Sequence, residues 1–119
     1  MNTQQKGDIA VAQCTATMTK KGYDVAIPLS ESTRYDLIVD IGNELKRVQV
    51  KFYGAKGKPH IRLRRIHSNS NGYVVKHYER NDVDWYYLYC ESGDEYIIPD
   101  SDIPPDVKNA FNARPHHKL

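Results

Sequence analysis

Three side chains stand at positions from which oxygen ligands and an ammonium group could act on one phosphate. Asp36 opens an alternating run over residues 35–40, in which Tyr35, Leu37 and Val39 point one way and Asp36, Ile38 and Asp40 the other. Gln49 and Lys51 lie two apart in a second alternating run, residues 45–53, and so share one face of that strand. Gly42-Asn43 between the runs supplies turn residues, so the two fold back as an antiparallel hairpin. If the face of Gln49 and Lys51 comes beside Asp36, a carboxylate, an amide oxygen and an ammonium converge. Oxygen donors suit Mg2+, which keeps several of its waters. A positioned lysine orients or deprotonates a water and stabilises the charge of a pentavalent phosphate. That chemistry is phosphodiester hydrolysis. Spacing alone does not single it out: Asp36 reads equally as a turn acid, and Gln49 and Lys51 as a polar strand face.

The charge pattern narrows the choice. The chain carries 17 basic and 15 acidic residues, a net +2. Residues 45–77 hold Lys46, Arg47, Lys51, Lys56, Lys58, Arg62, Arg64, Arg65 and Lys76 without one acid, so the remaining bases are outnumbered by all 15 acids elsewhere. Such asymmetry suits one face for a phosphate backbone on a counterbalancing acidic body. Lys56 and Lys58, in a glycine-containing loop, are placed to meet phosphates. His60, Arg62, Arg64, Arg65 and His67 are placed to reach DNA from a strand pair, arginine matching guanine O6 and N7. The alternative is a solvated basic face.

The elements that must position these groups follow from periodicity and breakers. Residues 4–21 predict a helix with Ile9, Ala12 and Ala16 on its buried side, stopped at Gly22. Residues 23–28 predict a short strand ended by Pro28, and 29–34 a polar loop. After the hairpin, 60–67 predict one strand with a bulge or bend at residues 65–66, and 68–72 a turn with 73–75 pairing back. The run at 85–90 is the most apolar strand, turned by residues 92–94 into a strand at 96–99. Residues 102–112 predict a short helix with Pro104-Pro105 near its start. Tyr86, Tyr87 and Tyr89 could stack on bases, but tyrosine is also what a small core with one Trp and two Phe would use.

These stretches together resemble a known family. Lys6-Gly7-Asp8-Ile9, Lys21-Gly22-Tyr23-Asp24-Val25, the run from Arg34 to Asp40, and Arg47-Val48-Gln49-Val50-Lys51 are similar to the group I intron-associated PD-(D/E)XK homing endonucleases, relatives of archaeal Holliday-junction resolvases. Asp82-Val83-Asp84-Trp85 through Tyr96-Ile97-Ile98-Pro99 resembles that family's later core strand. The resemblance implies an α/β, restriction-endonuclease-like core with a mixed β-sheet flanked by helices. It implies Mg2+-dependent cleavage of double-stranded DNA by a homo-oligomer, a dimer or tetramer. Asp36, Gln49 and Lys51 match the catalytic positions, with Asp36, Gln49 and the Val50 backbone carbonyl as metal ligands. Gln49 stands where the wider superfamily usually has Glu or Asp, a variation of the homing branch. The family commonly reads Lys-Gly-Asp-Ile-Gly-Glu-Ala in the first helix, and here Val11 occupies the Glu position. Asp8, three residues earlier on the same helix face, is then either a substitute carboxylate or a helix N-terminal acid.

The rest of the composition bounds the answer. With 119 residues, 39% hydrophobic and 27% charged, the chain suits one compact domain, residues 1–113, with 114–119 as a loose tail. Mean hydropathy of −0.69 and the absence of a long apolar run exclude a membrane span. The polar first six residues show no secretory signal. Cys14 and Cys90, far apart and without metal-binding spacing, read as half-buried reduced thiols. A cytoplasmic setting in a prokaryotic cell or phage-infected host is expected. The leading reading is a site-specific DNA endonuclease of the homing type. The alternatives are a weakened or inactive nuclease fold kept for DNA binding, a Holliday-junction resolvase, and, less favoured, RNA binding.

Overall fold

A computed structural model describes residues 1–30, 33–69, 72–77 and 82–119, with backbone alone for 64–69 and 72–77. Helix α1 spans Thr3–Lys20. Its first turn is closed reciprocally: the Gln5 N–H donates to the Asn2 side chain at 2.8 Å and the Asn2 N–H to the Gln5 side chain at 3.0 Å. Gly22 follows the helix at φ +87°, a conformation that favours glycine. The buried stripe is Ala10, Cys14 and Met18, at intervals of four. Ile9, Ala12 and Ala16 face outward instead, with Ile9 37% exposed. A polar anchor is compatible only with the observed rotation: Thr17 Oγ1 donates to Glu95 at 2.5 Å, and Gln13 Nε2 reaches the same carboxylate at 3.5 Å. The Tyr87 hydroxyl also donates to Glu95, at 2.6 Å.

Nine strands follow among the described residues: β1 Asp24–Ala26, β2 Leu37–Asp40, β3 Leu45–Tyr53, β4 His60–Arg62, β5 Arg64–Asn69, β6 Gly72–His77, β7 Trp85–Cys90, β8 Glu95–Pro99 and β9 Ala110–Asn112. The main sheet has the order β1-β2-β3-β7-β8. Only β3 and β7 pair in parallel, which makes the sheet mixed. Strand β7 lies inside the sheet and is buried on both faces, so its residues are apolar or aromatic without alternation. Tyr87 packs with Cys14, Met18, Leu37, Val39 and Val48 beneath α1. Tyr86 and Leu88 join Ile61, Leu63, Ile98 and Phe111 on the opposite face. The tyrosine-rich strand is therefore core, not a stacking or contact surface. Both cysteines are free and fully buried. Withdrawal from water, reinforced by Glu95 and Asp36, pushes the Cys14 thiol up to about 12, so it is chemically quiet.

The α/β expectation holds, with one α-helix among the described residues against the sheet rather than several flanking helices. No helix forms over 102–112. A 3-10 turn occupies Asp100–Asp102, Ile103 is extended at φ −92°, ψ 122°, and the chain reaches β9, which pairs with β4. The cause is local: a residue before proline is driven out of the helical region, and Pro104-Pro105 imposes that at two consecutive positions. The expected strand over 60–67 also divides, at Leu63 rather than at 65–66. Leu63 is buried and its N–H donates to Asn109 O at 2.8 Å; β4 before it pairs with β9, and β5 after it pairs with β6. Residues 114–119 are not loose. His117 is buried, Tyr96 and Lys118 form a bridge, and the Leu119 N–H donates to Glu95 O at 2.8 Å. Among the described residues no helix is long and apolar enough to cross a membrane.

Candidate active site

The hairpin forms as the alternation requires, with Leu37 opposite Val48 and Asp40 opposite Leu45. Asp36 stands one residue before β2. Its backbone N–H donates to Val48 O at 2.8 Å, and its Oδ2 accepts the Val50 N–H, also at 2.8 Å. Strand β2 has given out at this level, so the Asp36 carboxylate takes the place of the next strand residue. N–H and C=O of one strand residue point to the same side, so the Val50 carbonyl also faces the open edge.

Burial pushes the Asp36 carboxyl above its ordinary 3.8, against the opposing pulls of the Val50 N–H and the Lys51 charge. Helix α1 forms the other wall of the crevice. Asp8 and Val11, three apart on one helix face, line with Asp36 two adjoining recesses of about 360 and 380 Å3, and Val50 lines the second. Asp8 accepts from Gln4 Nε2 at 3.3 Å. Val11 is half-buried, between this crevice and the core beneath α1. The donor set consists of hard oxygens, the carboxylates of Asp8 and Asp36 among them, which fits a small divalent cation.

Gln49 and Lys51 are half-buried on the sheet face that turns away from α1. The Gln49 amide oxygen is shielded from solvent. Lys51 lines a recess of about 350 Å3 with Tyr53, His60 and Arg62. The structure thus gathers Asp8, Val11, Asp36 and Val50 on one side of the splayed strands. Gln49 and Lys51 lie on the other, with Lys51 near enough to act on Asp36 through its charge.

Lys56 and Lys58 are exposed in the loop after β3, which Gly57 turns at φ +102° and the Tyr53 hydroxyl steadies by donating to Lys56 O at 3.1 Å. His60 is tied to the scaffold, edge-on to the Tyr53 ring at 5.1 Å and 3.3 Å from Lys58 O. Arg62 is exposed on β4. Arg64, Arg65 and His67 lie on β5, and their side chains are outside the described residues.

Two polar clusters have no signal in the sequence. Arg47 belongs to the basic window, yet its Nε lies 3.1 Å from Asp84 Oδ2 and its backbone N–H donates to the same oxygen at 2.8 Å. The Arg47 side chain holds the Asp84 carboxyl below the usual carboxylate range. This pair locks the starts of β3 and β7, so Arg47 serves the sheet. The second cluster is Asp102, His116 and His117, with candidate ligand atoms within 4.8 Å of one another. His117 Nδ1 accepts the Arg114 N–H at 3.0 Å. The ring therefore carries its proton on Nε2, which donates to Asp102 Oδ2 at 2.9 Å. A metal would need that same nitrogen bare, so the cluster reads as a clamp on the C-terminal segment.

A family model described as PD-(D/E)XK endonuclease matches residues 1–118. Among solved structures, the chain is similar to a bacterial homing endonuclease, I-Ssp6803I, with a TM-score of 0.82 and 28% identity over 94% of this chain and 78% of that one. None of the curated proteins matches the chain.

Proposed function

The chain belongs to the PD-(D/E)XK endonuclease family, and from that premise we propose that it is a site-specific endonuclease of the homing type, hydrolysing double-stranded DNA with Mg2+. The observation that carries this reading is Asp36: a carboxylate fixed on the Val50 N–H, within reach of the Lys51 charge and in a crevice shared with Asp8. Asp36 and the Val50 carbonyl would hold the metal, and Asp8 would bring a second carboxylate from α1; Gln49, which the resemblance matches to a ligand position, lies across the splayed strands from them. A divalent ion held by these residues would supply Lewis-acid polarisation of a phosphoryl oxygen and acidify a water. Lys51 orients the attacking water and stabilises the charge that grows on the phosphate. Lys56 and Lys58 contact DNA phosphates. The strand pairs β4–β9, with His60 and Arg62, and β5–β6, with Arg64, Arg65 and His67, read the major groove, which admits a two-stranded ribbon. The protein acts as a homo-oligomer in the cytoplasm.

The test is incubation with supercoiled plasmids carrying varied inserts, with Mg2+ or with EDTA. Cleavage at one insert, abolished by EDTA, is expected; absence of cleavage on every insert, or cleavage indifferent to EDTA, overturns the reading. One observation favours a second reading: Val11 puts an apolar side chain into the crevice where the family resemblance places a Glu. Binding to duplex DNA without cleavage would select that reading, a nuclease fold retained for binding. A four-way junction in the same assay tests resolvase activity.

A further inference from the structure

The C-terminal segment closes a recess that the catalytic crevice does not use. Its volume is about 400 Å3, and Lys58, Arg114 and Lys118 stand on its rim. Pro59, Tyr96 and Ala113 supply apolar lining. The recess is continuous with the basic strand through backbone pairing. His60 pairs with Asn112, and the Ala113 N–H donates to Pro59 O at 2.9 Å, so the chain entering Arg114 runs beside the chain leaving Lys58. Two features hold the rim in place. His117 is anchored to Asp102 and to the Arg114 backbone, and Lys118 and Leu119 dock on β8. The Arg114 guanidinium lies over the Phe111 ring at 5.4 Å. Lys118 Nζ is 3.4 Å from Asp94, in a half-exposed pair that a phosphate could displace.

We infer that this recess is a second DNA-backbone site, in which Arg114 and Lys118, with Lys58, grip a phosphate of the duplex beyond the segment read by β4. A cationic rim over an apolar floor matches a deoxyribose-phosphate unit: the anion meets the rim and the sugar the floor. The inference rests on the nuclease reading and extends its DNA track to residues outside the basic window of 45–77.

The experiment measures duplex binding by fluorescence anisotropy between 50 and 200 mM salt, for the wild type, Arg114→Gln/Lys118→Gln, Arg62→Ala and Asp94→Asn. Each lost phosphate contact lowers the slope of log K against log salt by about 0.9. The double variant should lose up to about two such steps. Asp94→Asn removes the competitor for Lys118 and should tighten binding, which keeps the test decisive even if the double variant folds poorly. An unchanged slope in a folded double variant, beside a reduced one in Arg62→Ala, overturns the second site alone, as does Asp94→Asn binding no tighter than wild type. If the wild type binds duplex DNA without salt dependence, the nuclease reading falls and the second site with it.

Discussion

At the scale of the residue, Asp36 makes an opposed pair of pH predictions. Its folded-state pKa is raised by burial, so the native state favours the neutral acid. Its stabilising contribution is therefore present below the ordinary 3.8 and is lost as pH rises through the raised folded value. Metal binding needs the anion and must fail over the same window as pH falls. Melting temperature measured against pH should show an acid-side gain that Asp36→Asn removes, while the Mg2+-dependent nicking rate declines in that range. Asp36→Asn and Lys51→Ala should each lower the rate about 10²–10³-fold, the loss typical of one preorganised group. Near wild-type nicking by both would end the assignment. Val11→Glu tests the opposite wall. A second carboxylate facing Asp36 should strengthen Mg2+ binding in calorimetry and raise nicking, with a melting temperature close to wild type because Val11 is only half-buried. A large drop in melting temperature without tighter Mg2+ binding would make Val11 a core residue. The hairpin that carries Asp36, Gln49 and Lys51 was legible because alternation and a Gly-Asn turn dictate its register. The grip of Asp36 on the Val50 N–H was not, because it depends on where β2 stops relative to β3.

Elements were legible where their own periodicity decides them, and misread where a distant partner does. The span of α1 follows from its caps, but its rotation follows from Glu95, some eighty residues away in sequence. Residues 102–112 carry a mixed pattern that a helix could use. The two prolines veto the helix, and the open edge of β4 offers Ala110–Asn112 a ladder instead. Phe111, 8% exposed in the core on that face, gives this replacement its energy. Phe111→Ala should cost about 3–5 kcal/mol, the range for a buried phenylalanine, read from the midpoint of urea unfolding. A loss within about 0.5 kcal/mol, the range of solvent-facing sites, would mean that β9 adds nothing to that core. The tail makes the same point: His-His and a distant Asp have no characteristic spacing, and the clamp exists only because the fold brings Asp102 beneath His117.

For the whole molecule, sequence showed the imbalance of charge but not which charges face outward. Arg47 counts toward the basic window but is committed to Asp84, while Arg114 and Lys118 lie outside that window and join its surface through β9. Size sets the remaining requirement. The longest extent is 47 Å, which spans about 14 base pairs at 3.4 Å per pair. Each chain carries one candidate crevice, and one crevice hydrolyses one strand. A double-strand break by a single copy requires it to turn over between strands of opposite polarity. A twofold assembly presents two crevices to the two strands at once and doubles the DNA length contacted. The contact surface cannot be β7, which is internal to the sheet, nor a helix over 102–112, which does not form. Sedimentation velocity should give the mass of a dimer or tetramer, and plasmid cleavage should yield linear product without accumulation of the nicked circle. A monomer with and without DNA, together with nicked circles that persist, would mean that each copy acts alone on one strand.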